Sequence, residues 1–408
     1  MEGYESHIYL GEVNGGTMFK KKYVTVITLL LVAAFALAGC GGGGGEKKDA
    51  AQDAASDVIK IGVYEPLTGT NAAGGEMTVE GIKLANQLFP EVLGKKVELV
   101  IVDNKSEKQE AANAVERLVS KDKVNVIIGS YGSSLSMAGG PIAKDAGIPV
   151  IGCSPTNPAV TLGNDYYFRV CFIDPFQGTV MANYAFDKLG AKKAAIIQDV
   201  QQDYSVGLNN YFEKSFKKLA GEDAIVAKVN YNTGDKDFSS QLTAIKDKKP
   251  DVIFAPGNFT ESGILVEKAR ELGITCPILG GDTWESEEFL NRVKNTKDVY
   301  FSTHFDSTQP VTEMSKKFKE EYEKAYAGKQ VNAFGALGFD SYILALDAMK
   351  KANSADPKAI RDALAGTKDF EGATGLITLD TNGDATKTAI IKKVADGNFV
   401  YEGKVDPK

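Results

Sequence analysis

The residues able to do chemistry follow short runs of β-branched residues. Gly132, Ser133 and Ser134 come after Val124-Asn125-Val126-Ile127-Ile128, and Ser154 and Thr156 after Pro149-Val150-Ile151. Tyr204 follows the run that ends at Gln198. Gly257-Asn258-Phe259 follows the run from Asp251 to Ala255, and Asp282 the run from Cys276 to Leu279. Hydroxyls and free backbone amides suit a carboxylate, and a carboxylate suits an ammonium. Gly132-Ser133-Ser134 stands where a helix begins, so its N–H groups point at an anion. Taken together, the set describes a holder for a small zwitterion: hydroxyls and amides for its carboxylate, Asp282 for its ammonium. Each residue also has a structural reading. Ser133 and Ser134 suit a helix cap, Thr156 a loop support, Asp282 a cap before Trp284, and Tyr204 packing.

Bond-breaking chemistry finds little to work with. The chain has two histidines, His7 and His304. A Ser-His-Asp arrangement has only His304 to build on, and a polar residue at the end of a strand is the better reading of it. There is no Gly-x-Ser-x-Gly elbow and no phosphate-binding glycine loop. Cys-x-x-Cys spacing is absent. The acidic stretch Asp380-Thr381-Asn382-Gly383-Asp384 has its glycine too early for a calcium loop and Ile391 where the last acidic ligand belongs, so it reads as a hairpin turn. No enzyme activity, cofactor or metal is therefore expected. A net charge of −7 also argues against nucleic acid.

The elements that hold these residues alternate. Strands are expected at 58–63, 97–102, 124–128 and 149–151, with helices at 79–88, 109–119 and 135–145 between them. The alternation restarts at 176–189 and runs to about 279. Helices follow at 314–326, 334–352 and 357–365, and late strands at 375–379 and 388–395. Strands separated by helical stretches imply right-handed crossovers and parallel sheets, and about 350 residues are too many for one core. The fold class is α/β: two similar doubly wound parallel-sheet lobes joined by three crossings. In such sheets ligands bind beyond the carboxyl ends of the strands, where the residues above stand.

The start of the chain says where the protein works. Lys20, Lys21 and Lys22 precede an apolar run, Val24 through Ala36, too short to cross a bilayer. The run ends at Leu37-Ala38-Gly39-Cys40, a tetrad that resembles the lipobox of bacterial lipoproteins, whose cysteine carries the lipid. Gly41 to Gly45 then form a tether. Residues 1–17 are expected to be an upstream extension, 18–39 a lipoprotein signal peptide and 40–57 a linker anchored through Cys40. Lobe 1 is expected over 58–174 and 306–380, lobe 2 over 175–305 and 381–408. Of the remaining cysteines, Cys153, Cys171 and Cys276, one pair or none is bridged.

The stretch from Val58 to Phe399 resembles the leucine/isoleucine/valine-type substrate-binding proteins of ABC importers, with the type I periplasmic-binding fold. The resemblance rests on Pro66-Leu67-Thr68-Gly69, Ser133-Ser134, Gly147-Ile148-Pro149-Val150-Ile151, Phe168-Arg169-Val170 and Gln202-Asp203-Tyr204-Ser205-Val206-Gly207, in that order along the chain. It implies that Ser133 binds a ligand carboxylate, that Ser154 and Thr156 bind carboxylate and ammonium, that Asp282 pairs with the ammonium and that Tyr204 covers the ligand. The family's aromatic in the first loop is replaced here by Ala73-Gly74-Gly75, and the position in the Gly257 loop is Phe259, or Asn258 if the register shifts; Gly74, Gly132 and Phe259 are taken with the ligand-binding residues. The implied protein is a monomeric, lipid-anchored receptor on the outer face of the cytoplasmic membrane. It captures an amino acid, branched-chain or otherwise aliphatic, and delivers it to ABC permease subunits. A sensor of the same fold for an amide, short peptide or other small carboxylate is the alternative.

Overall fold

The computed structural model describes residues 58–407. The extension, signal peptide, Cys40 and the glycine tether lie outside the described residues.

The first lobe begins with β1 (Val58–Glu65), α1 (Ala72–Leu88), β2 (Glu91–Val92), β3 (Lys95–Asp103), α2 (Lys108–Arg117), β4 (Val126–Ile128), α3 (Ser133–Asp145), β5 (Val150–Gly152) and β6 (Tyr167–Arg169). Its six strands lie in the order β2-β3-β1-β4-β5-β6. All pairs are parallel except β2 with β3. The short strands β4 and β5 are buried throughout, as expected for a sheet covered on both faces.

The second lobe holds α4 (Asp174–Asn183), β7 (Ala194–Asp199), α5 (Asp203–Ala220), β8 (Ile225–Tyr231), α6 (Ser239–Asp247), β9 (Val252–Phe254), α7 (Phe259–Glu271), β10 (Ile278–Gly280), α8 (Glu287–Val293) and β11 (Val299–Thr303). The chain then returns to the first lobe as α9 (Glu313–Ala325), α10 (Ala333–Ala352) and α11 (Pro357–Ala365), with the small strands β12 (Phe370–Gly372), β13 (Gly375–Leu379) and β14 (Ala385–Thr386). Helix α10 packs along α1, and no side chain fits between them: a Cβ on Gly81 would stand 1.8 Å from the carbonyl oxygen of Gly335. The chain finally crosses back as β15 (Ala389–Ala395) and β16 (Asn398–Val405). These add antiparallel to β11 and complete a seven-stranded sheet, β16-β15-β11-β10-β9-β7-β8. Two α/β lobes joined by three crossings are thus the observed architecture.

Several elements differ from the sequence expectation. Helix α1 begins at Ala72, seven residues before the expected start, because Gly74 and Gly75 allow close packing: a Cβ on Gly75 would stand 2.0 Å from the carbonyl of Pro66. Gly74 is therefore helical. Helix α5 starts at Asp203 and α7 at Phe259, so Tyr204 and Phe259 lie in first turns of helices. The turn at 380–384 does close a hairpin, but β13 pairs there with two-residue β14, whereas β15 belongs to the other sheet. Strand β16, which the sequence reading missed, covers the open edge of β15.

Buried charge ties the crossings together. Arg169, fully buried, forms a 2.7 Å ion pair with Asp384. Lys387 donates to the carbonyl of Val170 (3.1 Å) and to Thr374 Oγ1. The first and third crossings are thus bonded to each other directly. Cys153, Cys171 and Cys276 are free thiols.

Candidate functional site

Between the lobes lies a small cavity. The first lobe lines it with Asn71, Tyr131, Gly132, Ser133 and Ser154, the second with Gln202, Tyr204, Asn258, Asp282 and Thr283. A larger hollow near the second and third crossings is lined by exposed Val311 and Leu376, by Asp306, Asp369 and Lys387 and by threonines.

The first-lobe wall is set by loop geometry. Gly132 has φ +90, a conformation that costs glycine little, and it hands the chain directly into α3. That places Ser133 at the helix start, 1% exposed, where its Oγ accepts from the backbone N–H of Asn157 (3.1 Å). The neighbouring loop is held by Arg169, which donates to the carbonyls of Pro155 (2.6 Å) and Asn157 (2.9 Å). The Ser154 and Thr156 hydroxyls on that loop are buried without a hydrogen-bond partner. A buried orphan hydroxyl costs about 1–3 kcal/mol, so Ser154 marks a place on the cavity wall where a polar ligand group completes the bonding, whereas the Thr156 hydroxyl lies beside Asp174. Ser154 lines the cavity; Thr156 is fully buried and is not among its lining residues.

Asp282 dominates the second-lobe wall. It sits in a short turn after β10 and is 1% exposed. Its Oδ1 accepts from Gln177 Nε2 (2.8 Å) and from the Tyr204 hydroxyl (2.9 Å); its Oδ2 faces His304 Nε2 at 3.3 Å. Tyr204 reaches it because Gly281 has no side chain: a Cβ there would stand 2.0 Å from the tyrosine oxygen. Burial pushes the Tyr204 phenol well above its usual range, so it stays a donor. Burial pushes His304 down, against its hydrogen bond to the Asp282 carboxylate, which favours the charged ring.

The sequence reading placed two residues in the pocket that the structure places behind it. Gly74 is in α1, and a Cβ on it would stand 2.4 Å from the Tyr131 ring. Its role is to leave room for that ring, which packs edge-on against Phe334 at 5.0 Å. Phe259 is 2% exposed and belongs to the hydrophobic core, and Asn258 faces the cavity in its place. Asn258 Nδ2 donates to Asn71 Oδ1 of the other lobe (2.8 Å). The reading missed Tyr131, Asn71, Gln202 and Thr283 as lining residues, although all four stand in the loops after strands that it singled out.

It also missed Asp174, the first residue of α4, whose N–H donates to the Thr156 carbonyl (2.9 Å). Both its carboxyl oxygens are buried without a partner. Burial first, and then the charge of Asp282, push its pKa up to about 8. Among the described residues no cluster of His, Cys, Asp and Glu is arranged for a metal. No helix of the described residues is long and apolar enough to cross a membrane.

Two lobes with a polar cavity between them, one wall of hydroxyls and the other carrying a carboxylate, define a cleft that encloses a small solute. The profile of the periplasmic binding protein family matches residues 58–398, and the chain belongs to that family, with its type I fold. A leucine-binding protein LivK from Thermotoga maritima is 41% identical, over 86% of this chain and 99% of that one, with a TM-score of 0.82. The branched-chain amino acid transporter substrate-binding protein LivJ from Streptococcus pneumoniae, in complex with isoleucine, is 37% identical, over 86% of this chain and 100% of that one, with a TM-score of 0.80. Leu/Ile/Val-binding protein homolog 1 of Brucella suis is 26% identical over 360 residues, 85% of this chain and 94% of the relative.

Proposed function

We propose that the protein captures an amino acid between its lobes, branched-chain or otherwise aliphatic, and delivers it to ABC permease subunits as a monomer. No chemical step is involved. The observation that carries this reading is the opposition of Ser133 and Ser154 in one lobe to Asp282 and Tyr204 in the other, across one cavity. The carboxylate of the ligand faces the start of α3 and the Ser154 hydroxyl, and its ammonium faces Asp282. The names of the Thermotoga and Streptococcus relatives support an aliphatic side chain. Capture at micromolar concentration needs roughly −8 kcal/mol, which two charge-assisted contacts and one buried side chain supply after ordering costs. The protein works outside the cytoplasmic membrane, anchored through lipid on Cys40. The supporting feature for this anchor is the Leu37-Ala38-Gly39-Cys40 tetrad.

A thermal-shift screen tests the ligand class. A solute that binds only the folded protein raises its apparent stability by about 2.7 kcal/mol at a hundredfold excess over Kd. Leucine, isoleucine and valine are expected to raise the melting temperature. Benzoates belong in the panel because a solute-binding protein of Rhodopseudomonas palustris, 26% identical, holds 3,4-dihydroxybenzoic acid. A shift with a benzoate and none with any α-amino acid would overturn the zwitterion reading.

A further inference from the structure

Asp203 touches the first lobe at three places and lines no part of the cavity. Its Oδ2 accepts from the Ser134 hydroxyl at 2.7 Å and lies 3.1 Å from Lys108 Nζ. Its backbone N–H meets Ser134 Oγ at 3.2 Å, and its carbonyl accepts from Asn157 Nδ2 at 2.9 Å. The partners come from the starts of α2 and α3 and from the loop after β5, so three separate elements of the first lobe converge on one residue at the start of α5. Gly207 lets α5 approach: a Cβ there would stand 2.7 Å from Asn157 Nδ2. The Asn258–Asn71 hydrogen bond makes a fourth lobe-to-lobe contact, at the cavity itself.

We propose that Asp203 is a clasp: a positioning residue that holds the lobes closed through Ser134, Lys108 and Asn157 without contacting the solute. Ser133 and Ser134 then have separate tasks. Ser133 faces the cavity, and the next residue, turned to the other side of the helix start, bonds the opposite lobe. Contacts that form only on closure add to the closed state whatever the ligand, and a ligand already enclosed leaves only after they break. Their loss therefore appears in the dissociation rate, where most affinity differences between related complexes lie. Selectivity among ligands does not change, because no clasp residue meets a ligand side chain. The Lys108–Asp203 pair is solvent-exposed and so is screened by salt. The Ser134 bond is partly buried and is screened less.

The inference rests on capture of an amino acid in the cleft, and the experiment separates the two. Stopped-flow fluorescence with L-leucine, L-isoleucine and L-valine is run on wild type, Asp203→Ala, Asp203→Asn and Ser134→Ala, with X-ray scattering of the unliganded proteins beside it. Asp203→Ala is expected to speed dissociation about tenfold, equivalent to about 1.4 kcal/mol. Association is expected to hold within about twofold, and the order of preference among the three amino acids to stay the same. The Ser134→Ala and Asp203→Ala effects should be less than additive, since they remove one contact. Unliganded Asp203→Ala should have a larger radius of gyration than wild type at an unchanged melting temperature. Asp203→Asn, which keeps the helix start intact, repeats the effect in weaker form and guards against a folding defect. An unchanged dissociation rate, a loss confined to association, or a changed preference among the amino acids overturns the clasp. If none of the three amino acids binds wild type, the ligand reading fails, and the scattering comparison alone decides: equal radii overturn the clasp.

Discussion

His304 Nε2 lies 3.3 Å from Asp282 Oδ2, and the ring of His304 stacks on Phe172 with centroids 3.8 Å apart. Phe172 belongs to the first crossing between the lobes, and His304 follows β11 at the second. The carboxylate that faces the cavity is therefore braced by both crossings, while Tyr204 and Gln177 hold its other oxygen. A preorganised charge recognises an ammonium without reorienting when the ligand arrives. Replacing Asp282 by Asn keeps the shape and removes the charge. Calorimetry is expected to show leucine affinity reduced by about 1.5–3 kcal/mol, the worth of a hydrogen bond to a charged group. The desamino analogue of leucine should bind wild type poorly and lose little further in Asp282→Asn. Equal losses for leucine and the analogue would show that Asp282 acts elsewhere.

Gly74 and Tyr131 make a second coupled pair. In most helices Gly→Ala stabilises, by as much as about 1 kcal/mol. Here the new methyl would stand 2.4 Å from the Tyr131 ring, and overpacking of this kind costs about 1–3 kcal/mol. The clash outweighs the propensity gain. Gly74→Ala should weaken leucine binding as the ring is driven into the cavity, and Tyr131→Ala should abolish that effect of Gly74→Ala. Additive effects in the double variant would separate the two residues.

The β-branched runs and the loops after them carried most of this site in the sequence. Ser133, Ser154, Tyr204 and Asp282 were legible because a parallel sheet brings its strand ends to one edge. Gly74 and Phe259 were misplaced by helix starts. An aromatic after Asn258 looks like a pocket residue until α7 is seen to begin on it and turn it into the core. Tyr131 was hidden because its placement depends on the absence of a side chain at Gly74, 57 positions earlier in the chain. Asp174 gave no local signal: the Asp282 charge that acts on its carboxyl comes from a stretch more than a hundred positions later in the chain. The antiparallel strand β15 was hard to place for a similar reason, since its partner β11 lies across the whole first-lobe return, and β16 depends in turn on β15.

The hydroxyl of Ser154 is buried and has no hydrogen-bond partner in the protein. Ser154→Ala removes that cost, so denaturant unfolding without ligand should show stability unchanged or raised by about 1 kcal/mol. The same variant should bind leucine more weakly, by about 1 kcal/mol, because the ligand carboxylate loses a donor. Unchanged affinity would assign the contact to the Ser154 backbone instead.

Cys40→Ala tests the anchor. The variant is expected to remain unprocessed or to appear in the soluble fraction, with leucine binding intact, because the lobes begin at Val58. Fractionation and processing identical to wild type would remove Cys40 as the lipid site.

Asp174 gives the fold a pH dependence whose sign is fixed by its burial. Its carboxyl titrates near 8 in the folded chain, against 3.8 ordinarily. Between those values the folded state holds a proton that the unfolded state has released, so stability falls as pH rises. The contribution is complete below about pH 4 and is lost as pH passes through about 8. Asn at this position cannot ionise. The melting temperature of Asp174→Asn minus that of wild type should therefore be smallest near pH 4, grow as pH rises to about 8 and level off above it, in the absence of ligand. Glu65, also pushed up to about 8 by burial, contributes in the same window, so wild type and Asp174→Asn should both lose stability and the difference between them isolates Asp174. A bound zwitterion opposes the trend, since its ammonium favours the ionised carboxyl. Leucine should then stabilise wild type more at pH 8 than at pH 6, and Asp174→Asn equally at both. A melting difference that stays flat from pH 5 to pH 9 would mean that Asp174 is ionised throughout and is neutralised by a partner, most directly Arg169.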